Sequence, residues 1–162
     1  MKKLLLLRHA LPEQSSESGE DIDRELSEQG HAQAKTLGKT MRDNNNVPDF
    51  VLCSDAMRTR KTLEGLGFDN VRTEFLNDLY LPSARNILDA IHDIIDDTNE
   101  TILIVTHYPG VLEFAYKMSG AITKFTRGYP ECALTIFDCD VTSWSDLRPQ
   151  NARMDSFLTT KR

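Results

Sequence analysis

Three short, uninterrupted apolar runs constrain the fold of this 162-residue chain more than any other feature of its sequence. They are residues 4–7, 50–53 and 102–105, and the last lies in a segment rich in β-branched residues, 101–106, which favour a pleated, buried setting. Continuous apolar runs of this length are typical of strands that are buried on both faces, as in a parallel sheet covered by helices. The sequence therefore predicts three buried strands.

Amphipathic helices are predicted between and after these strands, because apolar residues recur there at helical spacing. Ser27 and Ser83 are suitable N-caps, and Pro109 suits the first turn of a helix. The alternation of strands and helices predicts an α/β protein, a three-layer α/β/α sandwich with a mostly parallel central sheet, in which residues 1–162 form a single domain. The predicted helices are 28–42, 56–66, 84–97 and 109–118; 71–76 is a weaker strand or a loop, and 134–137 and 156–159 are closing strands.

The charge and the cysteines exclude several classes of function. The net charge of −6 lacks the basic footprint that a nucleic-acid partner requires, so a site for an anion must concentrate its cations locally. The three cysteines, an odd number without a close CxxC pair, predict reduced thiols in a cytoplasmic protein. The apolar run near the start ends after four leucines, which is too short for a signal peptide, and we expect no membrane anchor.

A polar cluster follows each of the three apolar runs directly. Arg8 and His9 follow the first run, residues 54–58 follow the second with Arg58 as the last, and Thr106 and His107 follow the third. If the three strands are parallel, these clusters lie at one edge of the sheet, where open α/β sheets bind their ligands. Side chains about 50 residues apart along the chain are then expected to converge.

Two arginines and two histidines in one place favour phosphoryl chemistry. Arginine offers planar donors that match phosphate oxygens, and histidine serves as a nucleophile or a proton carrier near neutral pH. No carboxylate cluster suited to magnesium accompanies them. We therefore expect a site without a metal or another cofactor, in which arginines and helix N-termini neutralise the phosphoryl charge.

Four short motifs, in their order along the chain, resemble those of one known family. Arg8-His9-Ala10 resembles an Arg-His-Gly signature, and Thr106-His107 resembles a late Ser/Thr/Gly-His motif. Between them, residues 26–30 resemble a Leu-Thr/Ser-x-x-Gly turn, and residues 54–62 resemble a Ser-x-x-x-Arg-x-x-x-Thr segment. The chain is identified as a member of the histidine phosphatase superfamily, with its phosphoglycerate mutase-like fold, and it is most similar to the SixA-type phosphohistidine phosphatases.

This resemblance implies a role for each residue that matches a motif. It implies that His9 carries the phosphoryl group in an enzyme intermediate, that Arg8 and Arg58 bind the phosphoryl oxygens and that His107 completes the pocket. Ser54 is a further candidate for binding the substrate, either directly or by orienting a loop.

The acid that protonates the leaving group is less well defined by the sequence. Many members of the superfamily place a glutamate before a Leu-Tyr or similar pair, and the corresponding segment here is residues 74–80. Asp78 is the carboxylate that best fits the pattern, and Glu74 is the next candidate. A third alternative is that Asn77 occupies the place of the acid, which would suit a phosphoramidate that is protonated on its own nitrogen.

The leading functional hypothesis is hydrolysis of phosphohistidine in a signalling protein. The chain has few residues between 118 and 132 from which to build a lid, and an open pocket suits a side chain presented by a partner protein. The alternatives are a phosphatase of a small phosphorylated metabolite and a non-catalytic phosphate-binding regulatory module. A mutase and a zinc hydrolase with His9, His31 and His107 as ligands are the more distant hypotheses.

Overall fold

A computed structural model describes residues 1–68 and 70–160 and places a six-stranded sheet at the centre of the molecule. The strand order is β3-β2-β4-β1-β5-β6, and neighbours in this order are hydrogen-bonded. The strands are β1 (Lys2–Arg8), β2 (Phe50–Ser54), β3 (Thr73–Leu76), β4 (Thr101–Thr106), β5 (Leu134–Cys139) and β6 (Ala152–Leu158).

The central strands are parallel and end level with one another. β4 lies between β1 and β2, and both of these pair with it in parallel, as β3 does with β2. Leu7 of β1 and Cys53 of β2 both pair with Val105 of β4, so the residues that follow these strands emerge at the same edge. β5 and β6 continue the sheet in the antiparallel direction. The predicted mostly parallel sheet is therefore confirmed.

Helices cover both faces of the sheet and enclose two apolar cores. α1 (Glu28–Asp43) and α2 (Met57–Leu66) lie on one face, and α3 (Ala84–Ile94) and α4 (Gly110–Ser119) lie on the other. Side chains of β1 alternate between the cores, with Leu5 and Leu7 in the first and Leu4 and Leu6 in the second. This alternation follows from the two-residue period of a strand, and it confirms the predicted three-layer α/β/α sandwich.

Two predicted elements differ most from the structure: β6 begins at Ala152 rather than at residue 156, and α3 ends at Ile94 rather than at residue 97. Ile95 has extended backbone angles, and the Asp97 carbonyl accepts a hydrogen bond from Lys2 Nζ at 2.7 Å. The Asp97 carboxylate also accepts one from the backbone N–H of Trp144 at 3.0 Å. These partners lie about 50 and 95 residues away along the chain, so the helical pattern of the local sequence could not indicate them.

The uncertain segment at 71–76 forms a short strand, β3, at the edge of the sheet. All three cysteines are buried and none forms a disulfide, in agreement with the expectation of reduced thiols. In the part of the chain that the structure describes, no helix has the length and apolar character needed to cross a membrane.

Candidate active site

The three polar clusters meet in a cleft at the carboxyl edge of the sheet. Arg8, His9, Arg58 and His107 all line this cleft, whose volume is about 480 Å³. The ring centroids of the two histidines are 5.2 Å apart. The convergence that the sequence predicted is thus present in the structure, and the cleft is large enough for a phosphoryl group with part of its carrier.

His9 is held at the end of β1 by main-chain contacts on both sides. Its backbone N–H donates to the carbonyl of Thr106 at 3.1 Å, and its own carbonyl accepts from Cys132 at 2.9 Å. Its Nδ1 lies 2.7 Å from the carbonyl oxygen of Ala10, and because a carbonyl can only accept, Nδ1 carries the hydrogen. The lone pair of the neutral ring is therefore on Nε2.

Both imidazoles are kept neutral by their surroundings. Burial lowers the pKa of His9 to about 3, and the nearby guanidinium groups of Arg58 and Arg8 act in the same direction. Burial likewise lowers the pKa of His107 to about 2, with further contributions from His9 and Arg58. An imidazole that stays neutral in this way has a lone pair available at neutral pH, as a nucleophile requires.

His107 is oriented by Ser54, the last residue of β2. Its Nε2 lies 2.7 Å from the Ser54 hydroxyl, while its Nδ1 is buried without a hydrogen-bond partner among the residues that the structure describes. Ser54 is fully buried and is not among the residues that line the cleft. The structure therefore places this predicted substrate-binding residue behind His107, and its binding role stays a prediction.

Arg58 reaches the cleft from the first turn of α2 and is almost completely buried. Its Nη1 donates to the carbonyl of Asp21 at 2.9 Å, and its Nη2 donates to the carboxylate of the same residue at 3.0 Å. The guanidinium group also lies over the ring of Tyr80, with its Cζ 5.8 Å from the ring centroid. A buried cation of this kind needs such partners, because it has lost its contact with water.

Arg8 is anchored by a different set of partners. Its Nη1 donates to the carbonyl of Tyr129 at 2.7 Å and lies 3.7 Å from the carboxylate of Glu131. Its Cζ lies 4.9 Å from the centroid of the Tyr108 ring. Arg8 and Arg58 thus reach the cleft from different elements, which is an arrangement suited to binding one anion between them.

The two candidate acids lie outside the cleft. Asp78 lines a separate cavity of about 230 Å³ beside α3, together with Asn86, Asp89 and Asp93. Glu74 is half-buried in β3 and is not among the residues that line the cleft. The structure therefore does not bring either carboxylate together with His9 in this cleft, and the role of Asp78 as general acid stays a prediction that no contact here supports.

The sequence did not single out Asp21, Tyr80 or Glu131, which the structure places at the site. Asp21 lies in the polar segment before α1, outside the four motifs. Its spacing from Arg24 suits the local ion pair that forms at 2.9 Å, but its contact with Arg58 spans 37 residues and has no local signal. Glu131 lies in a segment without a periodic pattern.

The zinc hypothesis receives no support from the positions of the histidines. His31 is exposed on α1 and is not among the residues that line the cleft with His9 and His107. Among the described residues, no group of three or more histidine, cysteine, aspartate or glutamate side chains is placed to hold a metal ion.

Comparison with known proteins identifies a family whose sequences this chain resembles. The family model described as histidine phosphatase superfamily (branch 1) matches residues 4–79. An uncharacterized chloroplastic protein of Arabidopsis thaliana is 30% identical over 156 residues, which cover 90% of this chain and 70% of that protein. The sequence match to this relative therefore extends over nearly the whole chain.

Solved structures show the same fold. The provisionally named phosphohistidine phosphatase SixA of Nakamurella multipartitia has a TM-score of 0.85 and 22% identity, covering 98% of this chain and 95% of that one. A protein histidine phosphatase SixA complexed with tungstate has a TM-score of 0.80 and 16% identity, covering 97% and 96%. At these identities the likeness shows the fold alone, and it confirms the predicted phosphoglycerate mutase-like architecture.

Proposed function

The chain belongs to the histidine phosphatase superfamily, and from this membership we propose that it is a metal-independent phosphatase in which His9 accepts the phosphoryl group. The observation that carries the proposal is the state of His9. Its Nδ1 donates to the Ala10 carbonyl, so the lone pair is on Nε2, and the ring lines a cleft that contains Arg8 and Arg58. A neutral imidazole beside two guanidinium groups suits attack on a phosphorus atom whose oxygens are held by the arginines.

The reaction proceeds in two displacement steps. In the first, Nε2 of His9 forms a bond to phosphorus while the bond to the leaving group breaks. The leaving group departs with the bonding pair, and an imidazole that is already protonated on its other ring nitrogen leaves as a neutral ring. In the second, water attacks the phosphorus of the phosphohistidine, the N–P bond breaks, and inorganic phosphate and neutral His9 are released. Arg8 and Arg58 stabilise the charge on the equatorial oxygens in both steps.

His107 lines the same cleft as a second neutral ring. When the Ser54 hydroxyl donates to Nε2 of His107, the hydrogen of this ring is on Nδ1, which is buried. Ser54 thereby fixes both the tautomer and the orientation of the ring. A ring that is held in place before the substrate binds avoids reorganisation during the reaction.

The proposed substrate is phosphohistidine in a signalling protein, which makes the chain a phosphoramidate hydrolase. The carboxylates of Asp21 and Glu131 line the cleft, where Asp21 pairs with Arg58 and Glu131 lies 3.7 Å from Arg8. The hydrogen bond from Tyr80 and the nearby arginines hold the pKa of Asp21 well below its usual range, which makes Asp21 a weak general acid. A phosphorylated imidazole needs little help from such an acid, because it can be protonated on its own ring.

The segment between α4 and β5 supports a substrate that is presented by a protein. This segment buries Phe125 and Tyr129 in the core, and the Tyr129 carbonyl holds Arg8 from inside the molecule. These two aromatic side chains are thus used in packing and do not cover the cleft. An open cleft suits a side chain on a partner surface better than a small metabolite that must be sheltered from water.

The test compares His9→Ala with His31→Ala, which removes an exposed histidine from α1. We expect His9→Ala to lose phosphate release from a phosphohistidine protein by about a thousandfold or more, and to form no acid-labile phosphoenzyme. His31→Ala should behave as the wild type. A panel of phosphorylated metabolites assayed in parallel should be hydrolysed much more slowly than the phosphoprotein.

Three outcomes would overturn parts of this proposal. Retained turnover or labelling in His9→Ala removes the nucleophile. Efficient hydrolysis of one metabolite, with slow release from the phosphoprotein, identifies a metabolite phosphatase instead. A wild-type protein that binds phosphate but never forms a phosphoenzyme is a non-catalytic module.

A further inference from the structure

Asp21 contacts three side chains at the site, although the proposed reaction gives Asp21 no role. Its carbonyl and its carboxylate each accept a hydrogen bond from Arg58, through two different guanidinium nitrogens. The carboxylate also accepts hydrogen bonds from Arg24 and from the Tyr80 hydroxyl. One residue of the segment before α1 therefore connects α2 and the turn after β3 at the wall of the cleft.

The two contacts with Arg58 fix the plane of its guanidinium group. A single hydrogen bond would allow the group to rotate, whereas bonds from both Nη1 and Nη2 do not. They use two of the five N–H donors, and the other three are left in a defined orientation. Since the Arg58 side chain is 5% exposed, water cannot provide an equivalent restraint.

The neighbours of Asp21 keep its carboxylate charged and in place. The hydrogen bond from Tyr80 is the main reason that the pKa of Asp21 lies well below its usual range, and Arg24 and Arg58 lower it further. Tyr80 in turn contacts His107 edge to face, with ring centroids 5.3 Å apart. A carboxylate that stays ionised is unsuited to donating a proton, but it is well suited to holding a cation.

We propose that Asp21 is a positioning residue, which orients Arg58 so that its remaining donors meet the phosphoryl oxygens. This inference rests on the proposed function, in which Arg58 binds those oxygens. Orientation before binding strengthens the binding of an anion, because less freedom is lost when the complex forms. The charge of Asp21 acts in the opposite direction, because a carboxylate in the cleft repels an anion.

The opposite signs of these two effects allow an experiment to separate them. Orthovanadate is a tetrahedral oxyanion, and its dissociation constant can be measured by calorimetric titration at one pH. Asp21→Ala removes the side-chain acceptor together with the charge, and we expect it to bind vanadate about tenfold more weakly, as loss of one hydrogen bond to a charged group predicts. Asp21→Asn keeps one acceptor oxygen for Arg58 and loses the charge together with the second acceptor, which serves Arg24, so it should bind within about threefold of the wild type or more tightly.

Asp23→Asn is the matched control. Asp23 lies in the same short turn, but its carboxylate accepts a hydrogen bond from Ser18 rather than from Arg58. This variant removes the same charge without the contact, and we expect vanadate affinity within about twofold of the wild type. Thermal unfolding of all variants verifies that the fold is intact, and recovery of affinity in Asp21→Asn relative to Asp21→Ala is a result that a loss of fold could not produce.

The results distinguish a failure of the positioning role of Asp21 from a failure of the proposed function. If both Asp21 variants bind vanadate as tightly as the wild type or more tightly, the positioning role is wrong and only the charge of Asp21 matters. Arg58→Ala should bind vanadate at least about tenfold more weakly. If Arg58→Ala binds as the wild type does, the proposed phosphoryl site itself is wrong, whatever the Asp21 variants show.

Discussion

His9 and His107 lie close together in the cleft but are held by different partners. His9 is oriented by the carbonyl of the adjacent residue, Ala10, so a substitution elsewhere cannot easily disturb it. His107 depends on the Ser54 hydroxyl, which is contributed by another strand, 53 residues away along the chain. The orientation of His107 is therefore the more sensitive of the two to a single substitution outside the cleft.

Ser54→Ala tests this dependence. The change removes the hydrogen bond to Nε2 of His107 and leaves a buried ring nitrogen without a partner, so we expect kcat/KM to fall about tenfold, equivalent to roughly 1.4 kcal/mol. Steady-state kinetics on a phosphohistidine protein measure the effect. Ser119→Ala, at a half-buried serine that donates to a helix carbonyl in α4, is the control and should leave kcat/KM unchanged. Equal effects of the two changes would contradict the role of Ser54.

At the scale of elements, α1 packs against α2, the helix whose first turn carries Arg58. The two helices pack closely at Gly38, where a Cβ atom would lie 2.2 Å from the carbonyl oxygen of Leu66. A glycine in a helix interior usually costs stability, so its presence here reflects the need for close approach. This contact fixes the carboxyl-terminal end of α2 against α1.

We expect Gly38→Ala to destabilise the protein by about 1–3 kcal/mol, because the added methyl group cannot fit without moving one helix away from the other. The gain in helix propensity, about 1 kcal/mol, offsets only part of this cost. Urea denaturation measures the free energy of unfolding. Lys35→Ala, at an exposed position of the same helix, should change it by no more than about 0.5 kcal/mol. A stabilised Gly38→Ala variant would show that the helices can separate without cost.

At the scale of the whole molecule, keeping two neutral imidazoles in the cleft makes stability dependent on pH. A histidine in the unfolded chain binds a proton as the pH falls through about 6.5. His9 and His107 resist protonation in the fold, since burial lowers the pKa of each to about 3 and about 2. Below pH 6.5 the unfolded state therefore binds more protons, and the free energy of unfolding falls as the pH falls.

His9→Asn removes one of these two groups. Between pH 7.5 and pH 5.5 the wild type should lose about 1 kcal/mol more of its unfolding free energy than this variant does. Denaturant titrations at both pH values measure the two losses. The window lies above the range in which carboxylates titrate, so Asp21 contributes nothing to the difference. His31→Asn, at an exposed site, should lose as much as the wild type; an equal loss in His9→Asn would contradict the neutral, buried state of His9.

The sequence by itself determined the layers of this protein and the main residues of its cleft. Buried parallel strands need apolar side chains on both faces, and polar residues can follow only where such a strand ends. Arg8 ends one of these strands and His9 follows it, His107 directly follows another, and Arg58 lies in the first turn of the helix after a third. The local sequence therefore indicated which edge of the sheet forms the cleft and which side chains lie at that edge.

The tertiary structure alone decided which side chains hold these groups in place. Asp21 meets Arg58 across 37 residues, and Ser54 meets His107 across 53. Asp78, which the sequence favoured as the acid, lines a separate cavity beside α3, and α3 itself ends three residues early because Asp97 bonds to Lys2 and Trp144. Such contacts depend on how the layers pack, and short-range periodicity contains no information about the partner of a side chain that lies on another layer.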